Sequence, residues 1–189
     1  MFLLQLVKTV DAILPQTLHQ ITKMKVGLNM VAEEFVDVEK NLMMRKFNKV
    51  NLSQAECFDL VTQCKQATQL NHTNIQKYIH FDQEKMTIVL ENVDYNLEQL
   101  RLNQIENFGD EFVLQVVTEC LLALRYLHEN NFIHRNISPK TIFFVDGHVK
   151  LGGLEKIERF SENIKNTLIG FPMVQAPEQL RQSGATEKN

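Results

Sequence analysis

No stretch of the 189-residue chain approaches the roughly 18 uninterrupted apolar residues that a membrane-spanning helix needs. The opening run MFLLQLVKTVDAILPQTL lacks a basic leading region, and Lys8 and Asp11 interrupt it, which argues against a signal peptide. Phe2, Leu3, Leu6, Val7, Val10, Ile13 and Leu14 share one helical face instead, so an amphipathic helix is expected over residues 1–20. Excess charge of one sign is also lacking. The 20 Lys and Arg against 23 Asp and Glu leave a net charge of −3, which gives neither nucleic acid nor an anionic membrane a hold. Cysteine is sparse: Cys57, Cys64 and Cys120 form no C-x-x-C pair, so buried free thiols in a reducing compartment are expected rather than disulfides or a zinc site. Repeats and low-complexity tracts are missing.

What is present suits a globular core, with 44% hydrophobic and 23% charged residues. The segments ITKMKV, NMVAEEFVDVE and NLMMRKF alternate in part and read as strands, separated near Gly27–Asn29 and at Lys40–Asn41. Ser53 with Glu56 three residues on predicts a capped helix to about Leu70. The segments IQKYIHFD and KMTIVLEN predict two more strands around a turn at Gln83–Glu84. From DYNLEQLRL onward the chain turns helical. Its clearest helix spans about 110–130, where Phe112, Val113, Val116, Val117, Cys120, Leu121, Leu124 and Leu127 recur at three- and four-residue steps. The Asp146–Gly147 pair between TIFFV and HVKLG is a hairpin signal. The class expected is α+β: an extension over 1–20, a small sheet with one main helix over 21–91, and a mainly helical part over 92–189.

Five landmarks then appear in order: LNHTNI after the first helix, TIVLEN leading into the join, YLHENNFIHRN closing the long helix, VKLGGLE after the hairpin, and APE at 176–178. In this order and spacing the chain resembles a eukaryotic protein kinase from about Ile21 to Leu180. Phosphoryl transfer asks for positioning and charge neutralisation more than for covalent chemistry, and the resemblance says where each part stands. The glycine-rich loop keeps Gly27 alone. The phosphate-pairing strand lysine corresponds to Arg45, and the helix glutamate that would clamp it to Gln63. His134 and Arg135 persist, but the base position is Asn136, whose amide has no usable pKa. The loop lysine is Ser138, the metal-binding asparagine is Thr141, and the metal-binding aspartate is Gly153, followed by Leu154 and Glu155. Base and both metal ligands are lost together. Structural roles are expected for the residues that remain: His134 holding the loop backbone, Arg135 meeting a local carboxylate or carbonyl rather than a phosphate at Ser161 or Thr167, and Leu154 packing in the interior.

This pattern of loss is similar to that of the STRAD pseudokinases, the sterile-twenty-related kinase adaptors. The resemblance implies a catalytically inactive adaptor that binds and allosterically activates a serine/threonine kinase of the liver-kinase type. A helical-repeat scaffold, calcium-binding protein thirty-nine, would complete the complex. It implies no required cofactor and no metal, with ATP as a conformational ligand held without magnesium by Arg45, Gly27 and the hinge Leu90–Glu91–Asn92. The expected location is cytoplasmic, with the nucleus as a second compartment. The alternative is a weak or atypical kinase that binds ATP, using Glu155 for metal and Ser138 or Lys140 near the phosphate. Eleven residues follow Glu178 (189 less 178), so much of the helical half of a kinase is expected to lie outside this sequence. The apolar flank of helix 110–130 is then expected to be exposed. A fragment, a truncated form or a chain completed by a partner would each fit.

Overall fold

The computed structural model describes residues 18–25, 31–37, 41–49, 52–103 and 108–160. The expected helix over 1–17, the glycine position 27, and the segment carrying Ser161, Thr167 and residues 176–178 lie outside the described residues. Strands β1 (Leu18–Lys25), β2 (Val31–Asp37), β3 (Leu42–Phe47), β4 (Tyr78–Asp82) and β5 (Thr87–Glu91) form one antiparallel sheet in the order β1-β2-β3-β5-β4. Strand β1 begins at Leu18, inside the span expected to be helical. In β3 Met43, Met44, Arg45 and Phe47 are buried and Lys46 is exposed, so Arg45 is the inward cation of the two, while the burial of Met44 on the other face shows that both faces of the strand are covered there.

Helix α1 (Gln54–Ala67) starts where its cap predicts. The Ser53 hydroxyl accepts from the Glu56 backbone N–H at 3.2 Å, and the Glu56 carboxylate accepts from the Ser53 N–H at 2.8 Å. Two otherwise orphaned amide donors are thereby satisfied. Leu60, Cys64 and Ala67 are the buried stripe of α1 and pack it on the core. Ser53→Ala is expected to lower stability by about 1 kcal/mol in urea denaturation, with an unchanged denaturant slope.

Past the sheet, β6 (Tyr95–Asn96) leads into α2 (Leu97–Asn103), and α3 spans Asp110–Glu129. The helical reading from Asp94 missed β6, because Tyr95–Asn96 first pair with Phe144–Phe143 of β8 (Ile142–Val145). Strands β8 and β9 (His148–Leu151) form the expected hairpin. Its turn residues Asp146 and Gly147 have φ of 50° and 78°, the positive values a tight primed turn requires. Strand β7 (Phe132–Ile133) pairs with β10 (Glu158–Arg159).

One core joins sheet and helices. Leu60, Ala67, Tyr78 and Ile88 meet Ala123, Leu127, Val149, Leu151 and Leu154 in a continuous buried cluster. Polar ties fix the junction. Asn74 donates to the Val149 carbonyl at 3.0 Å and to Glu119 of α3 at 3.0 Å, and the Tyr126 hydroxyl accepts from the Asn71 N–H. His72 stacks on Tyr126 with ring centroids 4.9 Å apart. The opposite flank of α3, with Val113, Leu114, Val117, Leu121 and Leu122, is exposed as expected. No helix among the described residues is long and apolar enough to cross a membrane.

Candidate functional site

The side chains in question gather where β3, α1 and the segment after β9 converge. Register decides the first contact. Glu34 stands directly opposite Arg45 across β2 and β3, so the two side chains rise on one face. Arg45 donates from Nε to Glu34 at 2.8 Å, and its Nη2 lies 2.6 Å from the same oxygen. Its Nη1 donates to Glu155, which is wholly buried. Gln63 of α1 is half-buried. The cation is held instead by carboxylates from β2 and from the 3₁₀ turn Leu154–Lys156. Arg45 itself is 2% exposed, so both contacts are desolvated and geometrically fixed.

The chain reaches that turn through Gly153, whose φ of 76° lies in the left-handed region open to glycine. A Cβ there would stand 2.6 Å from the Thr141 methyl, 3.2 Å from Thr141 Cβ and 3.1 Å from the Asn136 amide nitrogen. Asn136, Thr141 and Gly153, which the resemblance places at the base and metal positions, therefore meet at one point, and none of the three is a carboxylate. Thr141 is turned to other work. Its hydroxyl donates to the Asn136 carbonyl at 2.7 Å and accepts from the Ser138 N–H at 3.0 Å, stapling the loop. Ser138 is buried in that staple, and Lys140 pairs with Glu98 at 3.5 Å. No group of three or more His, Cys, Asp or Glu among the described residues is placed to hold a metal ion. A magnesium ion asks for carboxylate and phosphate oxygens in octahedral array, and the residues at this point do not fit it.

Restoring one ligand does not rebuild the site. Gly153→Asp places a side chain at a left-handed φ and against Thr141, and is expected to lower stability by about 1–2 kcal/mol. A magnesium titration of the variant should show no saturable binding.

The framework around this point is intact. The His134 ring is buried, with Nε2 donating to the Gly152 carbonyl at 2.9 Å and Nδ1 accepting from the Asn136 N–H at 3.2 Å. That pair of bonds specifies the neutral tautomer with the proton on Nε2. Burial pushes the His134 pKa down from 6.5 to about 4, outweighing the opposing bond to Gly152. The neutral ring's contribution to stability is complete above pH 6.5 and is lost as pH falls from there through about 4, a change of about 3 kcal/mol. The loss of stability between pH 6.5 and pH 4 should be smaller in His134→Gln than in the wild type, by urea denaturation across that window. Arg135, at a left-handed φ of 64°, pairs with Glu158 on β10, so of the carboxylate or carbonyl expected it meets a carboxylate. Leu154 is fully buried and its N–H donates to the Tyr78 hydroxyl at 2.9 Å, while burial pushes that hydroxyl's pKa up and keeps it neutral. All three cysteines are free thiols, but only Cys64 is buried as expected, with Cys57 and Cys120 partly exposed; burial pushes the Cys64 pKa up to about 12.

At the other end of β5 from its turn, Leu90 is buried within the sheet and Glu91 is engaged through backbone and side chain. The Glu91 N–H donates to the Lys77 carbonyl at 3.0 Å, and its carbonyl accepts from the Gln76 side-chain amide at 3.2 Å. The Glu91 carboxylate takes Lys150 at 2.7 and 2.9 Å. Asn92 donates to the Asn41 carbonyl at 3.3 Å. Sequence reading missed Glu34, Gln76 and Lys150 altogether. Glu34 was within reach, since a hairpin closing at Lys40–Asn41 sets its register against Arg45, whereas Gln76 and Lys150 carried no local signal.

The chain matches the protein kinase domain family over residues 30–189. It is similar to cyclin-dependent kinase F-3 of Oryza sativa subsp. japonica, 29% identical over 160 residues, 83% of this chain and 35% of that protein. It is similar also to the Homo sapiens serine/threonine-protein kinase Nek2, 28% identical over 167 residues, 79% of this chain and 37% of that protein. An Aurora kinase of Schizosaccharomyces pombe is 30% identical over 122 residues, 63% of this chain and 34% of that protein. The aligned segments span about a third of the length of these relatives.

Proposed function

The chain belongs to the protein kinase domain family, and we propose that within it this protein is a catalytically inactive adaptor that binds and allosterically activates a serine/threonine kinase. The observation that carries this reading is the meeting of Asn136, Thr141 and Gly153 at one point without a carboxylate. A positioned base contributes about 10²–10⁴-fold to such a reaction, and magnesium neutralises the charge that develops on the phosphates. Loss of base and metal ligands at one locus removes both contributions together. Glu155, the carboxylate nearest Gly153 in sequence, serves Arg45 instead of a metal, which weighs against the alternative of a weak kinase.

What persists is shape. His134, Leu154 and Tyr78 are buried, His134 is bonded to Gly152 and Asn136, Leu154 is bonded to the Tyr78 hydroxyl, and β7 pairs with β10. A framework kept without its chemistry suits a surface that another kinase reads. The adaptor role, the STRAD-like affiliation, a liver-kinase-type partner and a helical-repeat scaffold of the calcium-binding protein thirty-nine type form one proposal. No cofactor is required for it.

The test is reconstitution. Added to the partner kinase and the scaffold, the protein should raise the partner's kcat toward a peptide, and Asn136→Ala should activate equally. Equal partner turnover with and without the protein, at concentrations saturating for assembly, would sink the proposal.

A further inference from the structure

Both grips that a nucleotide would use in this cleft are already taken by side chains of the chain. Arg45 commits Nε and Nη2 to Glu34 and Nη1 to Glu155. The Glu91 carbonyl commits to the Gln76 amide. We infer that the cleft is self-ligated: Glu155 brings to Arg45 the negative charge of a nucleotide phosphate, and Gln76 brings to Glu91 the N–H donor of an adenine amino group. Both groups are then satisfied without a nucleotide. This inference rests on the family reading of Arg45 as the phosphate cation and of Glu91 as the adenine edge.

The delivery of Glu155 is built into the backbone. Gly153 turns the chain at a left-handed φ, the Leu154 N–H is anchored on the Tyr78 hydroxyl, and the 3₁₀ turn then places Glu155 against β3. With α1 offering Gln63 where a carboxylate would clamp the cation, the counter-charge comes from the turn. Gln76 is delivered as rigidly. It is wholly buried, and its N–H donates to the Leu151 carbonyl at 3.0 Å. Its Oε1 occupies the space beside Gly152, 2.4 Å from where a Cβ would stand.

Neither insertion is an economical packing solution. Glu155 Oε2 and Gln76 Oε1 are buried and find no hydrogen-bond partner among the described residues. Such orphaned atoms are costly, and a buried ion pair is weak evidence for stability while it can specify one conformation. Each side chain is thus half-satisfied, and the satisfied half meets the group that a nucleotide would otherwise engage. A ligand entering here must first expel a buried carboxylate from Arg45.

The experiment is equilibrium binding of ATP in EDTA, and of inorganic triphosphate, to the wild type, Glu155→Gln and Gln76→Val. The wild type should bind neither ligand at millimolar concentration. Glu155→Gln, which keeps the shape and removes the charge, should bind both at least tenfold more tightly. Gln76→Val should improve ATP but not triphosphate. Arg45→Met/Glu155→Leu removes the cation and its wholly buried partner, leaves Glu34 alone at the partly exposed end, and should be less stable than the wild type yet folded and blind to both ligands. Wild-type binding as tight as that of Glu155→Gln would overturn self-ligation and leave the adaptor reading intact. No binding by folded Glu155→Gln would also overturn it. Failure of the adaptor reading shows itself separately, as magnesium-dependent phosphate transfer by the wild type.

Discussion

Arg45→Met should lower the unfolding free energy by about 3–5 kcal/mol, the range for removing one partner of a buried ion pair. The reason is what remains behind. Glu155 is wholly buried and Glu34 largely so, and both would face an apolar side chain. Two uncompensated carboxylates in a poorly solvated site either stay charged at high cost or take up protons. Urea denaturation at pH 7 checks the prediction. A loss below about 1 kcal/mol at pH 7 would mean that the triad is solvated and weak.

Leu154→Ala should cost about 2–5 kcal/mol, the range for a fully buried leucine whose site relaxes only in part. Leu154 directly follows Gly153, has no exposed surface, and sits in the cluster that unites α1, the sheet and α3. The cavity would open beside the Tyr78 hydroxyl and beneath the turn that carries Glu155. Loosening should thus reach the Arg45 contact as well as the core. Leu154→Met, which conserves volume, should cost less than about 1.5 kcal/mol. The difference between the two variants separates packing from any special need for leucine.

How much could be read in advance depended on whether the signal was local. Helix α1 was legible because Ser53 and Glu56 cap it within three residues of each other. The β8–β9 hairpin was legible because Asp146–Gly147 can take the positive φ its turn demands. The inward aim of Arg45 followed from strand alternation, and the local carboxylate for Arg135 followed from base rates for arginine. The partners of Arg45 and Glu91 were a different matter. Glu155 lies 110 positions from Arg45, and Lys150 lies 59 from Glu91. Nothing in either neighbourhood announces such a pairing; only the packing of the turn after β9 against α1 and β3 brings the groups together. Strand β6 was missed for the same reason, since two residues become a strand only through their partners on β8. The losses at Asn136, Thr141 and Gly153 were visible residue by residue. That they converge on one point, with Thr141 stapling its own loop, came from the fold.

The claim that the shape persists while the chemistry is gone is tested most directly by single-turnover phosphate transfer from magnesium-ATP, comparing wild type with Asn136→Ala. The expected result is no transfer above background in either protein, with both folded and melting cooperatively. Transfer by the wild type that Asn136→Ala abolishes would contradict it, for Asn136 would then be taking part in a reaction that its amide is held here to have forfeited.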